Sequence, residues 1–173
     1  QQKNNNSLEA TTNNKTFISP ILVGTNVWYV NPSQKVWDLT KESGVTSVRI
    51  GGHGYDVKMP SNAILLEWVN RIQAMGAEPI MQVSQYASAA EAAAIVKFFN
   101  VDLASGKPIK YWNIGNEPWL QNKKPDLATV GAMVEGYFKP RAQAMKTVDP
   151  TIKIYGPDFC YYIDEAINDL FGG

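Results

Sequence analysis

Apolar and polar positions along this chain follow two alternating periods. Five short runs rich in β-branched and aromatic residues predict strands, and the segments between them carry apolar residues at helical spacing. The predicted strands are residues 21–29, 46–50, 78–84, 109–115 and 152–156. The predicted helices are residues 34–43, 62–75, 88–100, 126–148 and 164–171. Successive strands begin about one βαβ unit apart, so the pattern predicts parallel strands with helices packed outside them.

Specific signals mark three of the predicted helices. Ser61 is placed to cap a helix that Gly76 ends. Ser88, with Glu91 three residues later, predicts a capping box before an Ala-rich helix. Pro140 falls inside the longest helical pattern, where it should kink or split the helix.

The chain divides into a tail and one structural unit. Residues 1–16 are polar and Asn-rich, so we expect them to be mobile or loosely packed. No linker or change of composition divides residues 17–173. Residues 51–60 have no periodicity and are predicted to be a loop. The polar start, without Met, is typical of a chain after signal-peptide cleavage, which favours a secreted, periplasmic or cell-surface bacterial protein.

Composition narrows the functional classes. The 173 residues are 45% hydrophobic and 18% charged, as expected for one globular domain. Sixteen basic residues balance sixteen acidic ones, which argues against a nucleic-acid partner. No apolar run approaches the roughly 18 residues that a membrane span needs. The single Cys160 has no second cysteine in this chain to form a disulfide with.

Residues 111–118, Tyr-Trp-Asn-Ile-Gly-Asn-Glu-Pro, carry the strongest chemical signal. A strand-forming run ends in a glycine, an amide, a carboxylic acid and a proline, so Asn116 and Glu117 should lie at the carboxyl end of the fourth strand. In barrels of alternating strand and helix, active sites lie at that end. A carboxylic acid there can protonate a departing oxygen atom, and an amide can orient a hydroxyl group.

The segment resembles the Asn-Glu-Pro signature of clan A glycoside hydrolases. The resemblance implies a (β/α)8 TIM barrel that hydrolyses O-glycosidic bonds with retention, using Glu117 as the general acid/base. It implies that Asn116 contacts the sugar 2-hydroxyl beside the scissile bond. It also implies that Arg49, after the second strand, hydrogen-bonds the nucleophilic carboxylate. A structural ion pair between Arg49 and another acid at this end of the sheet is the alternative.

Several further residues are candidates for contact with a carbohydrate substrate. The predicted substrate-binding residues are His53 and Tyr55 in the second loop and Trp119 beyond Glu117, the last as a stacking platform for a sugar ring. Asp56 is predicted to cap its loop. Other side chains that follow strands three and five are weaker candidates to line a cleft: Gln85, Tyr86, Asp158 and Tyr161. One histidine makes no metal site, and no cofactor is implied.

Length limits what this chain can do alone. A complete (β/α)8 barrel needs roughly 250 residues, so the pattern predicts an incomplete barrel of the first five βα units. In clan A the nucleophile is a second Glu at the end of strand seven, which this chain lacks. We therefore expect the chain to be inactive alone and to associate with the missing carboxyl-terminal half, or with itself through open sheet edges. Two alternatives remain: a non-catalytic carbohydrate-binding module, and a self-contained open α/β sheet with an unrelated ligand.

Overall fold

A five-stranded parallel sheet organises the chain. A computed structural model describes residues 19, 21–27, 31–103, 106–118 and 131–158. The strands are β1 (Gly24–Val27), β2 (Ser47–Ile50), β3 (Glu78–Val83), β4 (Tyr111–Ile114) and β5 (Lys153–Tyr155). Their spatial order is β1-β2-β3-β4-β5, with every neighbouring pair parallel. Flavodoxin-like sheets have the order 2-1-3-4-5, so this sheet is not of that open type.

Helices connect the successive strands, as the sequence predicts. The helices are α1 (Gln34–Glu42), α2 (His53–Val57), α3 (Asn62–Ala74), α4 (Ala89–Lys97) and α5 (Lys139–Val148). A π-helical turn (Phe98–Asp102) extends α4, and another (Val134–Phe138) leads into α5. No helix in these described ranges is long and apolar enough to cross a membrane.

The predicted helix caps at Ser61 and Ser88 are confirmed. The Ser61 hydroxyl accepts from the Ile64 N–H at the start of α3. In the capping box of α4, the Ser88 N–H donates to Glu91 Oε2 at 2.7 Å, and the Glu91 N–H donates to Ser88 Oγ at 3.2 Å. Pro140 lies in the first turn of α5, where the π-helical turn gives way to an α-helix. That position suits proline, since the first N–H groups of a helix have no partner within it.

Only one face of the sheet packs into the hydrophobic core. Successive strand residues point to opposite faces of the sheet. The core contains the strand residues of one face together with apolar side chains of the helices. The buried strand residues are Val27, Val48, Ile50, Met81, Val83, Trp112 and Ile114. The helical residues in the same cluster include Leu65, Trp68, Val69, Ile72, Ala92, Val96 and Met145. Each fully buried apolar side chain of this size contributes roughly 1.5–3 kcal/mol.

Several predicted segments differ from the structure or lie outside the described residues. Residues 51–60, predicted to be a loop, contain the short helix α2 because Tyr55 and Asp56 are buried by contacts that local sequence does not reveal. Strand β1 begins at Gly24 rather than at residue 21, and Leu22 and Val23 are 72% and 58% exposed. The predicted tail 1–16, the start of the helix 126–148 and the helix 164–171 lie outside the described residues.

Candidate active site

A row of polar residues lines the second face of the sheet near the carboxyl ends of the strands. The next-to-last residue of each of the first four strands is polar, and β5 ends in a tyrosine. We call these residues the polar face: Asn26, Arg49, Gln82, Asn113 and Tyr155. Strand pairing aligns Asn26 with Arg49, and Asn113 with both Gln82 and Tyr155. Along each strand these residues alternate with the core residues. Their side chains therefore lie together on the face away from the core.

Arg49 is the centre of the polar face. Its Nη2 atom donates to Asp158 Oδ2 at 2.8 Å, Gln82 Oε1 at 2.9 Å and Asn116 Oδ1 at 3.1 Å, and its Nε atom donates to Asn113 Oδ1 at 3.3 Å. An arginine within an apolar strand is costly unless its guanidinium finds acceptors. Nη2 has three acceptors but only two hydrogen atoms, so at least one hydrogen atom is shared between two acceptors.

Asp158 brings a partly buried carboxylate to this network. Burial raises the pKa of Asp158 above its ordinary value of 3.8; the neighbouring Arg49 lowers it, while the charges of Glu117 and Asp56 raise it. The charges of Glu117 and Asp56 therefore act on the Asp158 carboxylate, which is itself paired with the Arg49 guanidinium. Burial likewise raises the pKa of Tyr155 to about 12, and Arg49 opposes that rise.

Residues 115–117 form a tight turn directly after β4, which we call the acid/base turn after the role that the Asn-Glu-Pro resemblance implies for Glu117. Gly115 has φ +77° and Glu117 has φ +44°, a left-handed conformation that costs a residue other than glycine about 1–2 kcal/mol. Hydrogen bonds hold it in place. The Asn116 N–H donates to Asp56 Oδ2 at 2.9 Å, and the Glu117 N–H donates to the Asp158 carbonyl oxygen at 3.1 Å.

The side chains of the acid/base turn contact each other. Asn116 Nδ2 donates to Glu117 Oε2 at 3.3 Å, while Asn116 Oδ1 accepts from Arg49. Both Asn116 and Glu117 are partly exposed. The Glu117 carboxyl group is therefore reachable from solvent. Hydrogen bonds hold both the oxygen and the nitrogen of the Asn116 side-chain amide.

The structure separates the other predicted site residues. His53 is exposed at the first position of α2. The ring of Tyr55 is 3% exposed within the hydrophobic core, 6.2 Å from the ring of Trp68, so the predicted substrate contact of Tyr55 has no support from its position. Tyr86 is 59% exposed beyond β3. Trp119 and Tyr161 lie outside the described residues.

Asp56 was predicted to cap its own loop, but it lies on α2 and holds the starts of two other loops. Its carboxylate accepts from the backbone N–H groups of Gln85 and Asn116, which begin the loops after β3 and β4. A cavity of about 510 Å³ lies on the helical side of Asp56, beside Ser84 and Tyr86. Neither Asn116 nor Glu117 lines that cavity, so it is separate from the acid/base turn.

Sequence reasoning missed two buried amides of the polar face. Gln82 and Asn113 are both fully buried, and both bond to Arg49. A recognisable signal was available, because a polar residue recurs one position before the end of four successive strands. An amide within a buried strand is costly unless it is paired, so its repetition at one position predicts a shared network.

A further polar group lies beside this network. The Tyr137 hydroxyl is buried and has no hydrogen-bond partner among the described residues, and the ring edge lies near Gly115. Burial raises the pKa of Tyr137, and Asp56 and Asp158 contribute to that rise. Among the described residues, no group of three or more His, Cys, Asp or Glu side chains is arranged to hold a metal ion.

Comparison with known proteins identifies the fold. No family model matches this chain, and no curated protein matches it significantly. The structure is similar to a glucosidase from Croceicoccus marinus, with a TM-score of 0.57 and 19% identity over 80% of this chain. It is similar to a family 44 xyloglucanase from Paenibacillus polymyxa, with a TM-score of 0.54 and 15% identity over 82% of this chain. The chain has an α/β fold that occurs in glycoside hydrolases, and it spans 37% and 41% of the length of these two proteins.

Proposed function

We propose that this chain is the amino-terminal part of a retaining clan A glycoside hydrolase with a (β/α)8 barrel. The observation that carries the proposal is the position of Glu117, which directly follows β4 beside an amide that donates to its carboxylate. The resemblance of the Asn-Glu-Pro segment and the similarity to glycoside hydrolase structures support the same class. Sequential parallel strands with the core on one face are also what a section of a barrel would have.

In the proposed reaction, Glu117 protonates the departing glycosidic oxygen and later takes a proton from the attacking water. Asn116 orients the sugar hydroxyl beside the scissile bond. Retaining enzymes need a second carboxylate about 5–5.5 Å from the acid/base. We propose that strand seven, in the part of the protein outside this chain, supplies it. The chain alone is then inactive, and the full-length protein is active.

Arg49 has a positioning role in this proposal. Its guanidinium lies among the ends of several strands and already bonds to Asn116 and Asp158. The observed ion pair with Asp158 matches the structural alternative for Arg49. Arg49 can hydrogen-bond the nucleophilic carboxylate, as the resemblance implies, only if that carboxylate joins or replaces one of these acceptors in the complete barrel.

The substrate class that we propose is a polysaccharide or oligosaccharide, and the place of action is outside the cytoplasm. His53 and Trp119 stay candidate sugar contacts: His53 because it is exposed at the start of α2, and Trp119 because it follows the acid/base turn in sequence. Exposed polar and aromatic side chains around a concave site are what sugar recognition uses.

A hydrolysis assay tests the proposal. The full-length protein and the 173-residue chain are each incubated with a panel of plant and algal oligosaccharides, and the products are resolved by chromatography. We expect cleavage by the full-length protein only. Binding without cleavage, measured by calorimetry, would favour the non-catalytic carbohydrate-binding alternative; neither binding nor cleavage would reject both.

A further inference from the structure

We propose that Asp56 is the positioning residue of the acid/base turn: its buried carboxylate holds the backbone of Asn116 and thereby fixes where the Glu117 side chain points. This inference rests on the proposed function of Glu117. Asp56 lies on α2, outside the turn, and acts on it through hydrogen bonds alone.

Four amide hydrogens converge on the Asp56 carboxylate. Oδ1 accepts from Gln82 Nε2 at 2.9 Å and from the Gln85 N–H at 3.0 Å. Oδ2 accepts from Gln85 Nε2 at 2.7 Å and from the Asn116 N–H at 2.9 Å. The residue is only 4% exposed, so its charge is held by these donors rather than by water.

The geometry needs a carboxylate at this position. Each oxygen faces two donors, and a carboxylate offers acceptors on both oxygens. An asparagine would present one oxygen and one NH2 group. The NH2 group would then face two N–H donors, so two of the four bonds would be lost whichever way the amide was turned.

The bond to Asn116 acts next to Glu117, which is the one non-glycine residue with a positive φ among the described residues. Asn116 lies between Gly115 and Glu117, which both have positive φ. A charge-assisted bond to the N–H between them opposes relaxation of the turn. The held N–H belongs to the residue directly before Glu117.

A closed ring of hydrogen bonds ties Asp56 to the polar face. Asp56 accepts from Gln82 Nε2, Gln82 Oε1 accepts from Arg49, Arg49 donates to Asn116 Oδ1, and the Asn116 N–H returns to Asp56. The ring fixes both the backbone and the side chain of Asn116. Because bonds in such rings reinforce one another, the loss of one member should loosen the others.

The test compares Asp56→Asn with Asp149→Asn in the full-length protein. Asp149 is a matched control, since its carboxylate also accepts several bonds, from Asn100 and Thr151, but it precedes β5 at the opposite end of the sheet. Both variants are assayed on aryl glycosides with poor and with activated leaving groups. Amide hydrogen exchange is measured by mass spectrometry in peptides that cover the acid/base turn and β3.

We expect Asp56→Asn to lower kcat/KM on poor leaving groups about 10²-fold, because a displacement of about 1 Å of a catalytic group has an effect of that size. The ratio kcat/KM reports formation of the glycosyl-enzyme, the step in which Glu117 acts as an acid. On activated leaving groups the loss should be at least tenfold smaller, since these need little help from an acid. Exchange should accelerate in the acid/base turn more than in β3. Asp149→Asn should change neither the leaving-group ratio nor the exchange of the turn.

Equal losses on both substrates, or exchange that accelerates evenly throughout, would overturn the positioning role of Asp56. If Asp56→Asn does not fold, Gln85→Met decides instead. It removes the 2.7 Å bond from Gln85 Nε2 to Oδ2, together with the longer 3.4 Å bond from Nε2 to the Asn116 carbonyl oxygen, and should give the same pattern at smaller size. Glu117→Gln is assayed beside them. If it leaves the leaving-group ratio unchanged, the proposed function fails, while the exchange of the turn still decides whether Asp56 holds it.

Discussion

The Arg49 guanidinium donates to the Asp158 carboxylate at 2.8 Å, although 109 positions separate the two residues in sequence. The pair joins the end of β2 to the segment after β5, across the two strands between them. The side chains are 19% and 31% exposed, so water and salt screen this pair less than a surface ion pair. It therefore links the two sides of the polar face.

Replacing Arg49 by lysine should destabilise the protein, although the charge is kept. A single ammonium group cannot reach the acceptors that the planar guanidinium serves with three nitrogen atoms. We expect the free energy of unfolding in urea to fall by about 2 kcal/mol. Arg71→Lys is the control, because Arg71 pairs with Glu67 on an exposed helix surface, and its effect should stay below about 1 kcal/mol. Equal losses for the two variants would contradict the account.

Gly115→Ala should disturb the acid/base turn directly. Gly115 has φ +77°, and an added Cβ would lie 2.9 Å from the Cβ of Gln85. We expect a loss of about 2 kcal/mol in thermal or chemical unfolding, from backbone strain and from the clash.

Gly131→Ala is the matched change in helical backbone, where no atom of the described residues lies within 4 Å of the added Cβ. It should stabilise the protein by about 0.5–1 kcal/mol, since alanine favours a helix. If both glycine variants had the same sign of effect, the argument about the turn would be wrong.

Glu91 should make stability depend on pH through the capping box. The backbone N–H and the hydroxyl of Ser88 hold the pKa of Glu91 below its ordinary value of 4.5. A lowered pKa in the folded state means that the stabilisation is present above pH 4.5 and is lost as the pH falls through the folded value. Glu91→Ala should therefore lower Tm at neutral pH, and the difference from the unchanged protein should shrink in acid. A constant difference from about pH 7 to about pH 3 would refute this assignment.

The 173-residue chain alone should self-associate. In the described sheet, β1 and β5 each pair on one side only, which leaves edges that can pair with another chain. Sedimentation velocity should show an average mass that rises with concentration, whereas the full-length protein should stay monomeric. Addition of the separately expressed remainder of the protein should suppress the association. A chain that is monomeric at high micromolar concentration would argue against an incomplete barrel.

Local patterns predicted most of the fold. All five strands and the helices around Trp68 and Val96 follow from hydrophobic period, and the caps at Ser61 and Ser88 from their spacing. The local sequence pattern did not predict helix α2, because this helix depends on the burial of Tyr55 and Asp56 by distant parts of the chain.

The candidate site was predictable only in part. Arg49, Asn116 and Glu117 stand out because polar residues at strand ends, in a familiar motif, indicate chemistry. The hydrogen-bonded ring through Gln82 and Asp56 did not follow, since it depends on strand register and on contacts across 26 to 67 positions of sequence. The burial of Tyr55 beside Trp68 likewise did not follow from its predicted loop position, and its contact with a substrate stays a prediction.

Glu117→Gln in the full-length protein, assayed on aryl glycosides of graded leaving-group pKa, tests the central claim most directly. If Glu117 is the general acid, kcat/KM, which reports formation of the glycosyl-enzyme, should fall about 10²–10⁴-fold on the poorest leaving groups and change little on the most activated ones. A loss of the same size across the whole series, or no loss at all, would contradict the account.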